Sequence, residues 1–242
     1  MTIFAKKSSA AVFCIILLFC SIVYCAYAEE APARQMERDV YRKIVETSLM
    51  QEKVLYYYMV RYGVDSVETL KPAESLASMY AEVGNLNESQ RLYEYAIKIR
   101  KAKMSPSPDN TKYIGIDYYM LGELNLLRNR YWLAGSNYGE SVKLATDSSQ
   151  RIEALNRMGL VHEKLGDDQK ALTHYLEAVK EYESIKQSGQ KASRHIEQRI
   201  VETYEAVVKV YERLGEWEKV REYQGLREAM RAADKEKEKA IP

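Results

Sequence analysis

The stretch from Leu155 to Val179 limits the possible folds of this chain more than any other. It reads as two short amphipathic helices joined by a tight turn at Gly166. Leu155, Met158, Leu172 and Tyr175 recur at helical spacing and supply apolar bulk, while Gly159, Ala171 and Ala178 are small where two helix backbones must come close. A hairpin this short cannot shelter both of its apolar faces alone, so it needs neighbours built the same way.

Such neighbours are present. Leu76-Ala77, the turn Gly84-Asn85, then Ser89, Tyr93 and Ala96 form one copy; Leu121-Gly122, the turn at Asn129, then Ala134, Tyr138 and Ser141 form another. Tyr204, Val207-Val208, Tyr211 and the turn Gly215-Glu216-Trp217 open a last copy, whose second helix carries Val220, Gln224 and Arg227 at the small, aromatic and small positions. The pattern resembles the tetratricopeptide repeat, which has Leu-Gly in its first helix, Gly-Asp at the turn, then Ala, an aromatic and Ala along its second. The turns at 84, 129, 166 and 215 lie 45, 37 and 49 residues apart, against about 34 in simple repeats of this family. The resemblance is therefore to the long-helix, kinesin light chain-like type. It implies an all-α fold, a right-handed α-solenoid of helix hairpins at about 70–101, 111–146, 151–184 and 191–239 within an array over 67–239, with an extra N-terminal helix and a long C-terminal helix. Gly84, Gly122, Gly159, Gly166, Ala171, Tyr175, Ala178 and Gly215 are then structural repeat positions.

The flanks are read from their own residues. From Gln35 to Tyr62 apolar side chains return at helical spacing, with Gly63 as a stop, so residues 29–66 are expected to hold a capping helix, either a packing cap or the second half of a worn repeat. One or two of Tyr56, Tyr57 and Tyr58 should be core, since three consecutive positions point around most of a helix. Pro106 and Pro108 place 103–110 in a loop, with Asp109 or Asn110 as the next N-cap. The charged run from Asp234 to Lys239 reads as a solvated end before a tail at 240–242.

Residues 1–28 have the layout of a secretory signal: Lys6 and Lys7, an apolar run from Ala10, and Ala26-Tyr27-Ala28 before Glu29. A periplasmic or secreted chain beginning at Glu29 is the expectation. The alternative is an uncleaved inner-membrane anchor over the 19 residues 10–28. Cys14, Cys20 and Cys25 all lie in this leader, so no disulfide or thiolate site is expected beyond it. In a eukaryotic host Asn87-Glu88-Ser89 would be a glycosylation sequence.

Thirty-six basic and 35 acidic side chains give no overall pull toward nucleic acid. His162, His174 and His195 are scattered, and no phosphate loop or nucleophile elbow is present. No catalytic residue, metal site or cofactor is expected, and Asp167-Asp168 reads as turn and helix-start chemistry.

The family resemblance implies a non-catalytic scaffold that binds protein partners on a concave face lined by the first helices. Carried onto this chain, the groove positions are Lys71, Glu74, Ser78 and Glu82; Ile116, Tyr119 and Glu123; Glu153, Asn156, Leu160, Glu163 and Lys164; Glu202, Glu205, Lys209, Glu212 and Arg213. Eight acids against four bases suggest a partner segment of basic and apolar character. The alternative is a membrane-tethered structural subunit of an envelope or secretion assembly. Membrane association follows only if the leader stays attached.

Overall fold

The computed structural model describes residues 38–239. The expected signal, the alternative anchor, the cysteines, the lead-in at 31–35 and the tail at 240–242 lie outside the described residues. Two compact units divide at Lys53 and Val54. The first contributes the opening part of helix α1, which runs over 38–62.

The second unit holds the remainder of α1, a 3-10 turn at Val67–Thr69, and helices α2 (Leu70–Glu82), α3 (Leu86–Lys103), α4 (Pro108–Leu127), α5 (Tyr131–Leu144), α6 (Ser148–Lys164), α7 (Asp168–Gln187), α8 (Arg194–Leu214) and α9 (Trp217–Lys239). No strand occurs among the described residues. Helices α2 to α9 pair in chain order into four hairpins, and each helix packs mainly on its sequence neighbours. The result is an α-solenoid.

The four turns share one conformation for a local reason. Gly84, Gly166 and Gly215 have φ of 79°, 76° and 76°, and Asn129 has φ of 56°. This left-handed geometry lets the chain leave one helix and re-enter the next within a few residues. Asn129 is the one non-glycine described residue with positive φ, and its Oδ1 accepts a hydrogen bond from the Tyr131 hydroxyl at 2.9 Å. Four helix starts are capped by side chains: Ser107, Asp147, Asp167 and Ser193 accept from the backbone amides of Asn110, Gln150, Lys170 and Ile196. The cap at Ser107 corrects the expectation of Asp109 or Asn110. Pro108 is the first residue of α4, where its missing donor would have had no intrahelical acceptor.

Inside each central hairpin a glycine faces a tyrosine. A Cβ on Gly122 would lie 2.5 Å from the Tyr138 ring, and one on Gly159 would lie 2.5 Å from the Tyr175 ring. Between hairpins, Ile152, Leu155, Ala178, Val179, Ile196, Ile200 and Tyr204 join α6, α7 and α8, and Ala171, Tyr175, Val207, Val208 and Val220 join α7, α8 and α9. The aromatic missing at Gln224 is supplied one residue earlier. Tyr223 lies 5.9 Å from the ring of Tyr204 and 5.7 Å from that of Tyr211. At the N-terminal edge, Leu55 of α1 is buried against Ala73 and Leu76 of α2, with Met59 packed beside it. Tyr58 is half-buried, whereas Tyr56 and Tyr57 are exposed.

Candidate functional site

The first helices of three successive hairpins, α4, α6 and α8, bring one face each to a groove of about 660 Å³. Lys112, Ile116 and Tyr119 enter it from α4, Ser149, Gln150 and Glu153 from α6, and His195, Ile196 and Arg199 from α8, with the caps Asp147 and Ser193 at its edge. Residues spaced three or four apart on a helix share a face, which is why each helix offers such a set. Ile116, Tyr119 and Ile196 give the groove its apolar surface.

Its charges are paired within the protein. Lys112 Nζ lies 2.8 Å from Asp147 Oδ2, joining α4 to the start of α6. Glu153 lies 2.6 Å from His195 Nε2 and 3.3 Å from Arg199 Nε, joining α6 to α8. The Tyr119 hydroxyl accepts from Arg157 Nε at 3.2 Å, and its ring packs edge-on against Tyr138. Burial, followed by the charge of Glu123, raises the Tyr119 pKa, so the phenol stays neutral.

Of the expected groove positions, Ile116, Tyr119 and Glu153 meet here. The others form junctions between hairpins or lie elsewhere on the first helices. Glu74 binds Arg100, which also reaches Asp117 at 3.4 Å and stacks over the Tyr113 ring at 4.7 Å. Glu123 accepts from Arg157 at 2.8 Å and from the Tyr138 hydroxyl at 2.6 Å. Asn156 is buried, and its Oδ1 accepts from the Thr203 hydroxyl of α8 at 2.9 Å. Glu163 takes the Tyr175 hydroxyl at 2.6 Å and Arg213 at 2.7 Å, and Arg213 also holds Asp168. Glu205 pairs with Lys209 and with Arg231 of α9. Ser78 and Leu160 are half-buried and Lys164 is exposed.

Sequence reasoning missed Lys112, Gln150, His195 and Arg199. They lie nearer the helix starts than the positions carried over from the family. The available signal was the three-or-four spacing back from Ile116, Glu153 and Glu202.

Other residues singled out in the sequence have partners within the fold. Asp167 caps α7, and hydrogen bonds from the Lys170 side chain and backbone hold its carboxyl below the ordinary range. His162 and His174 stack with ring centroids 5.2 Å apart across the α6–α7 hairpin. Among the described residues no group of three or more His, Cys, Asp or Glu is placed to hold a metal, and no helix is long and apolar enough to cross a membrane. In the Asn87-Glu88-Ser89 sequence, Ser89 is fully buried with its hydroxyl on the Ala77 carbonyl, and Asn87 is held by Arg128.

Fold and groove together define a class: a solenoid of helix hairpins whose first helices line a shared groove. Residues 152–185 match the tetratricopeptide repeat family, a span within α6 and α7. The match covers that one hairpin, and the array around it is similar in fold to solved solenoids of such repeats. Among solved structures, MamA aligns at TM-score 0.58 with 15% identity, covering 83% of this chain and 95% of that one. A Podosopora anserina protein described as a kinesin light chain with nearly identical TPR-like repeats aligns at 0.62 with 14% identity, covering 82% and 94%. Aspartyl phosphate phosphatase F from Bacillus subtilis aligns at 0.59 with 12% identity, covering 85% of this chain and 55% of that one. No curated protein matches the chain.

Proposed function

We propose that this protein is a non-catalytic scaffold of the cell envelope that holds an extended segment of a partner protein in the groove across α4, α6 and α8. The observation that carries this reading is the groove itself, to which three consecutive hairpins contribute equivalent faces. A surface assembled this way suits a polypeptide laid across the repeats better than a compact small molecule.

The charge of the groove refines the expected partner. The acidic excess summed over the family-derived positions is offset by the protein's own Arg100, Arg157 and Arg199, which hold Glu74, Glu123 and Glu153. Among the charged groove-lining residues, Lys112 and Arg199 balance Asp147 and Glu153. Apolar side chains of the partner seated on Ile116, Tyr119 and Ile196 therefore supply most of the affinity, and basic residues of the partner add contacts at the rim.

Charge reversal at Glu153 would break a hairpin junction as well as alter the groove, so Ile116 is the better probe. A photo-crosslinking residue at position 116 should capture a partner in the native host, while the same residue at Lys180, exposed on α7, should not. Ile116→Arg should abolish capture by a photo-crosslinker placed at Tyr119. Adducts from 180 alone, or equally from both positions, would reject the groove. Export is tested separately by the mass of the mature N-terminus: Glu29 supports a free envelope protein, and Met1 supports the tethered subunit.

A further inference from the structure

A second feature lies away from the groove, at the two ends of the array. At the N-terminal end of the second unit, α1 over 54–62 packs on α2 as the second helix of a hairpin would, with no first helix before it among the described residues. One face packs on α2 through Leu55 and Met59. The opposite face is bare, with Tyr56 70%, Tyr57 52% and Val60 68% exposed, and Val64 follows at 61% in the loop. A helix apolar on both faces has the character of an interior helix. Solenoids normally end in a helix with a polar outer face, because an apolar end is a stacking surface.

At the other end, α7, α8 and α9 enclose a cleft of about 590 Å³. Val201, Tyr204, Leu226 and Met230 supply its apolar surface, and Leu226 is 40% exposed. This is where the first helix of a further hairpin would pack if the array continued. Among the described residues, one end is thus an apolar ridge with no helix packed on it and the other an apolar cleft with none seated in it.

The charges permit this fit. Residues 54–64 carry one ionic side chain, Arg61. The cleft lining has Glu197, Glu202 and Asp234 against Lys186 and Arg231, a formal excess of one negative charge. Glu202, Asp234 and Arg231 are themselves paired with Arg199, Arg194 and Glu205, so the cleft opposes Arg61 with no net like charge, whereas two ridges face to face would oppose like charges.

We propose that the protein associates with itself head to tail, with the outer face of residues 54–64 of one copy seated in the α7–α9 cleft of the next. Such a contact is heterologous: each copy retains one unused ridge and one unused cleft, so association runs on to a ring or a filament. The concave groove stays open along the assembly, and this inference does not depend on the groove being the partner site.

Sedimentation velocity over a range of protein concentrations tests the proposal, using the whole protein, Val60→Asp on the ridge and Leu226→Asp in the cleft. Both substituted side chains are exposed, and circular dichroism checks that each variant is folded. The unaltered protein should form species larger than a dimer as concentration rises, and each variant alone should be monomeric. A mixture of the two variants should form a 1:1 dimer and nothing larger, because it restores one intact ridge and one intact cleft. A monomer at every concentration would overturn the proposal. So would a mixture that stays monomeric, or a Val60→Asp variant that associates as well as the unaltered protein. A dimer lost only through Val60→Asp, with Leu226→Asp without effect, would show a ridge-to-ridge contact instead.

Discussion

At the scale of single residues, the central hairpins depend on a glycine lying under a ring. Gly159 has ordinary helical φ, so its role is not conformational freedom but the absence of a side chain beneath Tyr175. The three ring atoms nearest a built Cβ would lie at 2.5 to 2.7 Å, closer than van der Waals contact permits. The ring cannot simply retreat, because its hydroxyl is tied to Glu163 at 2.6 Å and the residue is 3% exposed. Gly159→Ala should therefore cost about 1–3 kcal/mol by overpacking, despite alanine's better helix propensity. Urea denaturation measures this, and a double-mutant cycle assigns the cause. Most of the cost should vanish in a Tyr175→Leu background, where no ring occupies the site. An equal penalty in both backgrounds would place the strain elsewhere.

At the scale of elements, the hairpins are joined by arginines as well as by apolar contacts. The motif made the helix pairs legible because small and aromatic residues at fixed offsets dictate how α6 meets α7. The junctions were not legible, because Arg100, Arg157 and Arg199 pair with acids 26, 34 and 46 positions away in the chain, and only folding sets those distances. For the same reason the groove read from the sequence was more acidic than the folded one. The junction between α2, α3 and α4 has a measurable consequence. Asp117 is 2% exposed; its burial, with the nearby charge of Glu74, pushes its pKa up to about 8 against the pull of Arg100. The folded state then holds a proton that the unfolded chain has released anywhere between the ordinary value of 3.8 and about 8. Stability contributed at this site must fall as pH rises through that window and level off above it. Asp117→Asn mimics the protonated acid and cannot titrate. The variant should gain stability relative to the unaltered protein as the pH of a urea titration series is raised from 5 to 8, with no further gain at 9. A gain that grows toward acid pH would mean the carboxylate is the favoured form in the junction.

At the scale of the whole array, stability is a sum of hairpin and junction contributions, so the ends should open before the middle. The hairpins α4–α5 and α6–α7 have neighbours on both sides and hold Tyr138, Ile152, Leu155 and Val161 at 0 or 1% exposure. By contrast, Val220 is the one buried hydrophobic of α9 among its described side chains, and Leu55 the one between Val54 and Tyr62. Amide hydrogen exchange in dilute solution should accordingly be slowest in α4 to α8 and faster by several orders of magnitude over 54–62 and beyond Gly225. The head-to-tail contact alters this order in a specific way. Any surface covered by a second copy gains protection by mass action, and the covered surfaces are these two fast-exchanging ends. Raising protein concentration should slow exchange over 54–62 and 226–234 together, while α4 and α6 keep their rates. Slowing at one end alone would break the pairing of ridge with cleft. Uniform slowing along the chain would mean that association stabilises the array as a whole without a defined contact at its ends.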